Sequence, residues 1–173
     1  MIYQSMSGDA ESGTSTFTMK GGTLTGRNGD QIYVTNTHSV ITLEDVTITN
    51  QDSSGKLLAI LGNDATRGWG TAGANGGQVD LTTTNQTLTG AIEVDTVSTL
   101  NFTMGKGTNF TGTINIVENA EGGTAVDNNA VITVEEGATW TLTGNVTITS
   151  LENKGTINFN GYTITLADGT VLK

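Results

Sequence analysis

The chain has 173 residues, with 7 basic against 17 acidic side chains and a formal net charge of −10. It has no basic run, which excludes a nucleic-acid site, since phosphates must be neutralised by a Lys/Arg face. Attraction to an anionic membrane surface is disfavoured on the same ground. The absence of Cys excludes disulfides and thiolate metal sites. No apolar run reaches membrane-spanning length, so membrane insertion is not expected. No basic stretch leads into an apolar one at the start, and Met1-Ile2-Tyr3 reads as an excised piece of a longer protein or a mature form given a start Met. Only 35% of residues are apolar and 14% charged, a balance that can mean disorder. The 34 Thr, 24 Gly and 16 Asn argue otherwise, because they fall in an ordered alternation of strand formers and turn residues.

That alternation repeats six times. The copies read FTMKGGTLTG from Phe17, ITLEDVTITN from Ile41, VDLTTTNQTLTG from Val79, FTMGKGTNFTG from Phe102, ITVEEGATWTLTG from Ile132 and INFNGYTITL from Ile157. They start 24, 38, 23, 30 and 25 residues apart. Each copy extends into a third short strand, centred in turn on Tyr33, Ala59, Glu93, Asn115 and Thr147, and the sixth runs out at Ile164–Leu166 and Val171. A repeat of about two dozen residues with period-two alternation predicts an all-β right-handed parallel β-helix. It has about six rungs of three short strands, with Ile, Leu, Val, Phe and Met inward and Thr, Asn, Asp and Glu outward. Residues 1–16 are a cap or lead-in, with Ile2, Tyr3 and Met6 as plugs of the open end. Residues 17–173 are the helix domain, with a loop inserted at 62–77.

Two breaks in the repeat stand out. Gly62–Gly77 reads GNDATRGWGTAGANGG and carries Arg67 and Trp69 among glycines. A Trp stacking face and an Arg donor fork on a rigid scaffold suit a sugar or protein contact. The contact candidates are Trp69, Arg67, Asn63, Asp64 and Asn75. The alternative has Trp69 folded back over the side of the solenoid. The second break, Glu118–Asn129, holds Glu118, Glu121 and Asp127, and reads as a solvated acidic loop because the calcium-loop signatures are absent. No metal or other cofactor is expected.

Two further patterns bear on function. The second strands carry T-x-T units at Thr23/Thr25, Thr47/Thr49, Thr87/Thr89, Thr141/Thr143 and Thr163/Thr165, with Asn109/Thr111 in the fourth copy. In register they form Thr columns, which resemble ice-binding faces but also stabilise any parallel solenoid. The one His, His38, reads as a solvated turn residue. Asp80, Glu93 and Asp95 are scattered outward acids, with Asp80 and Glu44 the nearest approach to a glycosidase pair. No Ser has a paired base. No catalytic residues are assigned, and the chain is read as a non-enzyme. The Asn-x-Thr sites at Asn85, Asn101, Asn109 and Asn145 are what an Asn/Thr-rich chain produces by chance.

The stretch RGWGTAGANGGQVDLTTTNQTLTGAIEVDTVSTLNFTMGKGTNFTGTINI, with ATWTLTGNVTITSLENKGTINFNGYTITL, resembles the β-helical modules of large surface proteins of Gram-positive gut bacteria. Such modules are described as adhesin-like or carbohydrate-binding. The resemblance covers roughly residues 66–173 and supplies no catalytic residues. It implies a secreted or cell-surface binding or adhesion module that presents its loop and a strand face to a host glycan or a host protein, immunoglobulin included. A monomer is expected. A passive spacer, an enzyme on acidic polysaccharide and an ice-binding protein are the other readings.

Overall fold

The structure is a computed structural model that describes residues 2–5, 13–63 and 70–173. Among the described residues the chain is all-β, without helix, and nearly all its strand pairs are parallel. Sheet one has six strands: β2 (Thr14–Lys20), β5 (His38–Glu44), β8 (Gln78–Thr84), β10 (Thr99–Met104), β12 (Ala130–Val134) and β15 (Ser150–Asn153). Each is parallel to the next, and Phe17, Ile41, Leu81, Phe102, Ile132 and Leu151 line up across it. Alternation turns this row inward, and four of the six are buried to 3% exposure or less.

Sheet two is the pair β3 (Thr23–Gly26) and β6 (Thr47–Asn50). Sheet three runs β1 (Ile2–Gln4), β4 (Ile32–Val34), β7 (Leu58–Ile60), β9 (Thr87–Asp95), β11 (Asn109–Val117), β14 (Val146–Thr147), β17 (Ile164–Thr165) and β18 (Val171–Leu172). Two more strands, β13 (Thr139–Leu142) and β16 (Thr156–Asn158), continue from the first half of β11. Only β18 is antiparallel, folding back on β17. Ile2, Tyr3 and Gln4 extend sheet three beside β4, with Tyr3 stacked on Tyr33 at 5.6 Å and still 45% exposed. Met6 lies outside the described residues.

One continuous core fills the space between the sheets. Its centre is aromatic: Phe110 packs on Trp140 at 5.9 Å and meets Phe102 edge-on at 6.0 Å. Trp140 is fully buried, and its Nε1–H donates to the Gly112 carbonyl at 3.1 Å, so its one polar atom is satisfied. Burying each such side chain stabilises the fold by about 1.5–3 kcal/mol. The stacked parallel strands are compatible with a solenoid.

The register corrects four details of the sequence reading. Leu81, not Val79, aligns with Ile41, because the third copy has a longer apolar alternation with two possible phases. Trp140, not Leu142, aligns with Phe110, and Leu142 lies opposite Gly112. Ile157 aligns with Trp140 in the second-strand row, so the first-strand row ends at Leu151 instead. The threonine pairs therefore run Thr87/Thr89, Asn109/Thr111, Thr139/Thr141 and Thr156/Asn158, not through Thr141/Thr143 and Thr163/Thr165. The columns are also interrupted, since Thr23/Thr25 and Thr47/Thr49 stand on a separate sheet. A second column lies outward on sheet one, where Thr18, Thr42, Thr82, Thr103 and Thr133 are in register.

Candidate functional site

The first residues of β2 and β5 begin a polar row on the outer face of sheet one. Register sets Thr14 opposite His38 and Asp80 opposite Asn101. The His38 ring leans along the sheet, and its Nε2 lies 2.7 Å from Asp80 Oδ2. Asn101 Nδ2 donates to Asp80 Oδ1 at 2.8 Å. Thr14 Oγ1 lies 3.3 Å from His38 Nδ1. The Asn101 hydrogen bond holds the Asp80 carboxyl below the usual carboxylate range, helped by the hydrogen bond and charge of His38 and opposed by partial burial. An ionised carboxylate only accepts, so it places the imidazole proton on Nε2. In the neutral imidazole with its proton on Nε2, Nδ1 carries a lone pair to which the Thr14 hydroxyl can donate.

This arrangement corrects the reading of His38 as a solvated turn residue and of Asp80 as a scattered acid. Nor does Asp80 pair with Glu44, which lies opposite Thr84 and forms an ion pair with Lys20 at 2.8 Å. The grouping was hidden because its members are 21 to 42 residues apart. The available signal was the repeat itself, which sets Thr14 and His38 the same 24 residues apart as Phe17 and Ile41.

A cavity of about 520 Å³ opens beside this row. Thr14, Asn36, His38, Thr71, Asn75 and Gln78 are among its walls. Asn75 fastens the returning limb of the inserted loop to the turn after β4. Its main-chain oxygen accepts from Asn36 N–H at 2.9 Å, its Nδ2 donates to Asn36 Oδ1 at 3.2 Å, and its Oδ1 accepts from Thr71 N–H at 3.1 Å. Asn75 sits at φ 59°, a left-handed conformation that Asn tolerates better than most residues. Of the predicted contact residues, then, Asn75 lines the cavity. Asn63 does not: it is 1% exposed and closes the neck of the loop, its N–H donating to the Ala74 carbonyl and its own carbonyl accepting from Gly73, both at 2.8 Å. Asp64, Arg67 and Trp69 lie outside the described residues.

The two breaks in the repeat pack against each other, which the sequence did not signal. Gly73 and Gly123 approach so closely that a Cβ on Gly123 would strike the Gly73 carbonyl. Beneath them Asp95, taken from sequence as an outward acid, is 1% exposed. Its Oδ2 accepts from Gly62 N–H at 2.7 Å and from Asn119 Nδ2 at 2.6 Å, one donor from each insertion. Asn129 Nδ2 reaches the carbonyls of Thr96 and Ser98 at 3.0 and 2.8 Å. Glu118, Glu121 and Asp127 are exposed, as a solvated acidic loop requires. Among the described residues no three His, Cys, Asp or Glu side chains group to hold a metal ion. No family model, curated protein or solved structure matches the chain.

Proposed function

We propose that the chain is a right-handed parallel β-helix of six three-stranded rungs that works as an extracellular binding module for a neutral glycan. The observation that carries this reading is the cavity beside His38. Among the described residues its polar side chains are carboxamides, hydroxyls and one imidazole, with no carboxylate, ammonium or guanidinium, and Ala74 and two glycines complete the walls. Such groups both donate and accept, which is what a ring of sugar hydroxyls requires of its partner. The inserted loop forms one wall through Thr71, Ala74, Asn75 and Gly76, and the same loop carries Trp69 in the sequence, a residue type that stacks on sugar rings. The likeness to surface modules described as carbohydrate-binding agrees with this and supports a secreted or wall-attached location. A host glycan is the ligand in this reading, and the module acts as a monomer.

The test is a glycan array followed by calorimetric titration of the best ligand. Wild type is expected to bind a neutral oligosaccharide. Gln78→Ala and Trp69→Ala should each weaken binding about two- to tenfold, the effect of one lost hydrogen bond or ring contact. A glycan bound equally by wild type and Gln78→Ala would move the site away from this cavity. An empty array would leave the module as a spacer.

A further inference from the structure

The polar row beside the cavity has a second property. Its hydrogen bonds converge on Asp80: with the His38 proton on Nε2, the Thr14 hydroxyl donates to His38 Nδ1 at 3.3 Å and His38 Nε2–H to Asp80 Oδ2 at 2.7 Å, while Asn101 Nδ2–H donates to Asp80 Oδ1 at 2.8 Å. A hydroxyl is thus paired with a base, the base is oriented by a carboxylate, and the carboxylate is fixed by an amide. These are the roles of a nucleophile, a general base and its orienting group, which are recognised by geometry and not by order in the chain. Each member stands on a different strand of one sheet, so their spacing is set by strand pairing, not by a loop. Thr14 also borders the cavity of about 520 Å³.

We propose that Thr14 is an acyl-accepting nucleophile, with His38 as its base and Asp80 as the positioning group, forming a centre that hydrolyses carboxylic esters. The Thr14 oxygen attacks the ester carbonyl carbon while its proton passes to His38 Nδ1. The tetrahedral adduct collapses, the C–O bond to the alcohol breaks, and His38 returns the proton to the departing alkoxide. The acyl group now rests on Thr14. Water gives a proton to His38 and attacks the same carbon, the bond to Thr14 breaks, and Thr14 recovers its proton. The sum is ester plus water to carboxylic acid plus alcohol. Asp80 stabilises the imidazolium that forms twice in the cycle. His38 and Asp80 are 38% and 44% exposed, so water screens their interaction, and slow turnover with accumulation of the acyl form is expected.

The activity does not depend on glycan binding and is tested without it. The purified chain is incubated with p-nitrophenyl acetate, p-nitrophenol release is followed, and the protein is analysed by peptide mass spectrometry. The expected result is an acetyl group on the peptide containing Thr14. Labelling should be lost in Thr14→Val, and p-nitrophenol release should fall about 10²-fold in His38→Gln, the usual contribution of a general base. Asp80→Asn should lower the rate while leaving the circular dichroism unchanged. Release at the wild-type rate by Thr14→Val, acetylation at His38 itself, or no release above buffer would each overturn the proposal.

Discussion

Asp52 illustrates how one side chain can order a turn. Its carboxylate accepts from the Ser54 hydroxyl at 2.6 Å, from Gly29 N–H at 2.7 Å and from Ser54 N–H at 2.9 Å. The Ser54 hydroxyl is the largest cause, followed by Gly29, and together these donors lower its pKa to about 2. The bond to Gly29 ties the turn after β6 to the one after β3. Because the folded pKa is depressed, the stabilisation is complete above the ordinary Asp range near 4 and is lost as pH falls toward 2. Carbon-detected NMR of the carboxyl group should show a midpoint near 2 that moves up toward 4 in Ser54→Ala. A wild-type midpoint near 4 would mean that the donors seen around Asp52 are not engaged in solution. D-S-S-G alone predicts the two Ser54 donors, as a local Asx turn, but not the Gly29 donor, which comes from the preceding repeat.

At the scale of strands, the informative place is the break between β6 and β9. Sheet one pairs β5 with β8 and sheet three pairs β7 with β9, yet β6 remains on its separate two-stranded sheet. The fully buried Gln86 bridges the gap: its Oε1 accepts from Val46 N–H at 3.0 Å, and its Nε2 donates to the Val46 carbonyl at 2.7 Å. A side-chain amide thus takes the place of a neighbouring backbone. Gln31 is equally buried, but among the described residues neither atom of its amide has a partner. The two glutamines should therefore respond oppositely to the near-isosteric change to Met. In urea denaturation Gln86→Met should cost about 1–3 kcal/mol for each Val46 group left unpaired, while Gln31→Met should be neutral or stabilising. Equal losses would show that the Val46 bridge contributes nothing. The strands themselves were legible in the sequence, because Ile41 or Phe102 can serve only one face of a sheet. Phase was less legible, because ATWTLTG offers both Trp140 and Leu142 to the same row and only the position of Phe110 across the sheet decides between them. The site was least legible, since Thr14, His38, Asp80 and Asn101 meet through lateral pairing that no local motif encodes.

For the whole molecule, the repeat makes each strand a template for the next, and what stops the series matters as much as what drives it. At the far end of sheet three, Val171 and Leu172 reverse direction and lie antiparallel on Thr165 and Ile164. An antiparallel strand offers the wrong polarity to an incoming parallel one, so β18 closes that edge. On the neighbouring edges β15 carries the exposed Glu152, with Lys154 just beyond it, paired at 2.9 Å, and charges of this kind discourage pairing by strangers. Deleting residues 167–173 would bare the β17 edge and should produce concentration-dependent assembly, seen as rising light scattering and thioflavin fluorescence, while the full chain stays dispersed. The turned-back strand thus shields one edge of sheet three from the parallel pairing that builds the molecule from within.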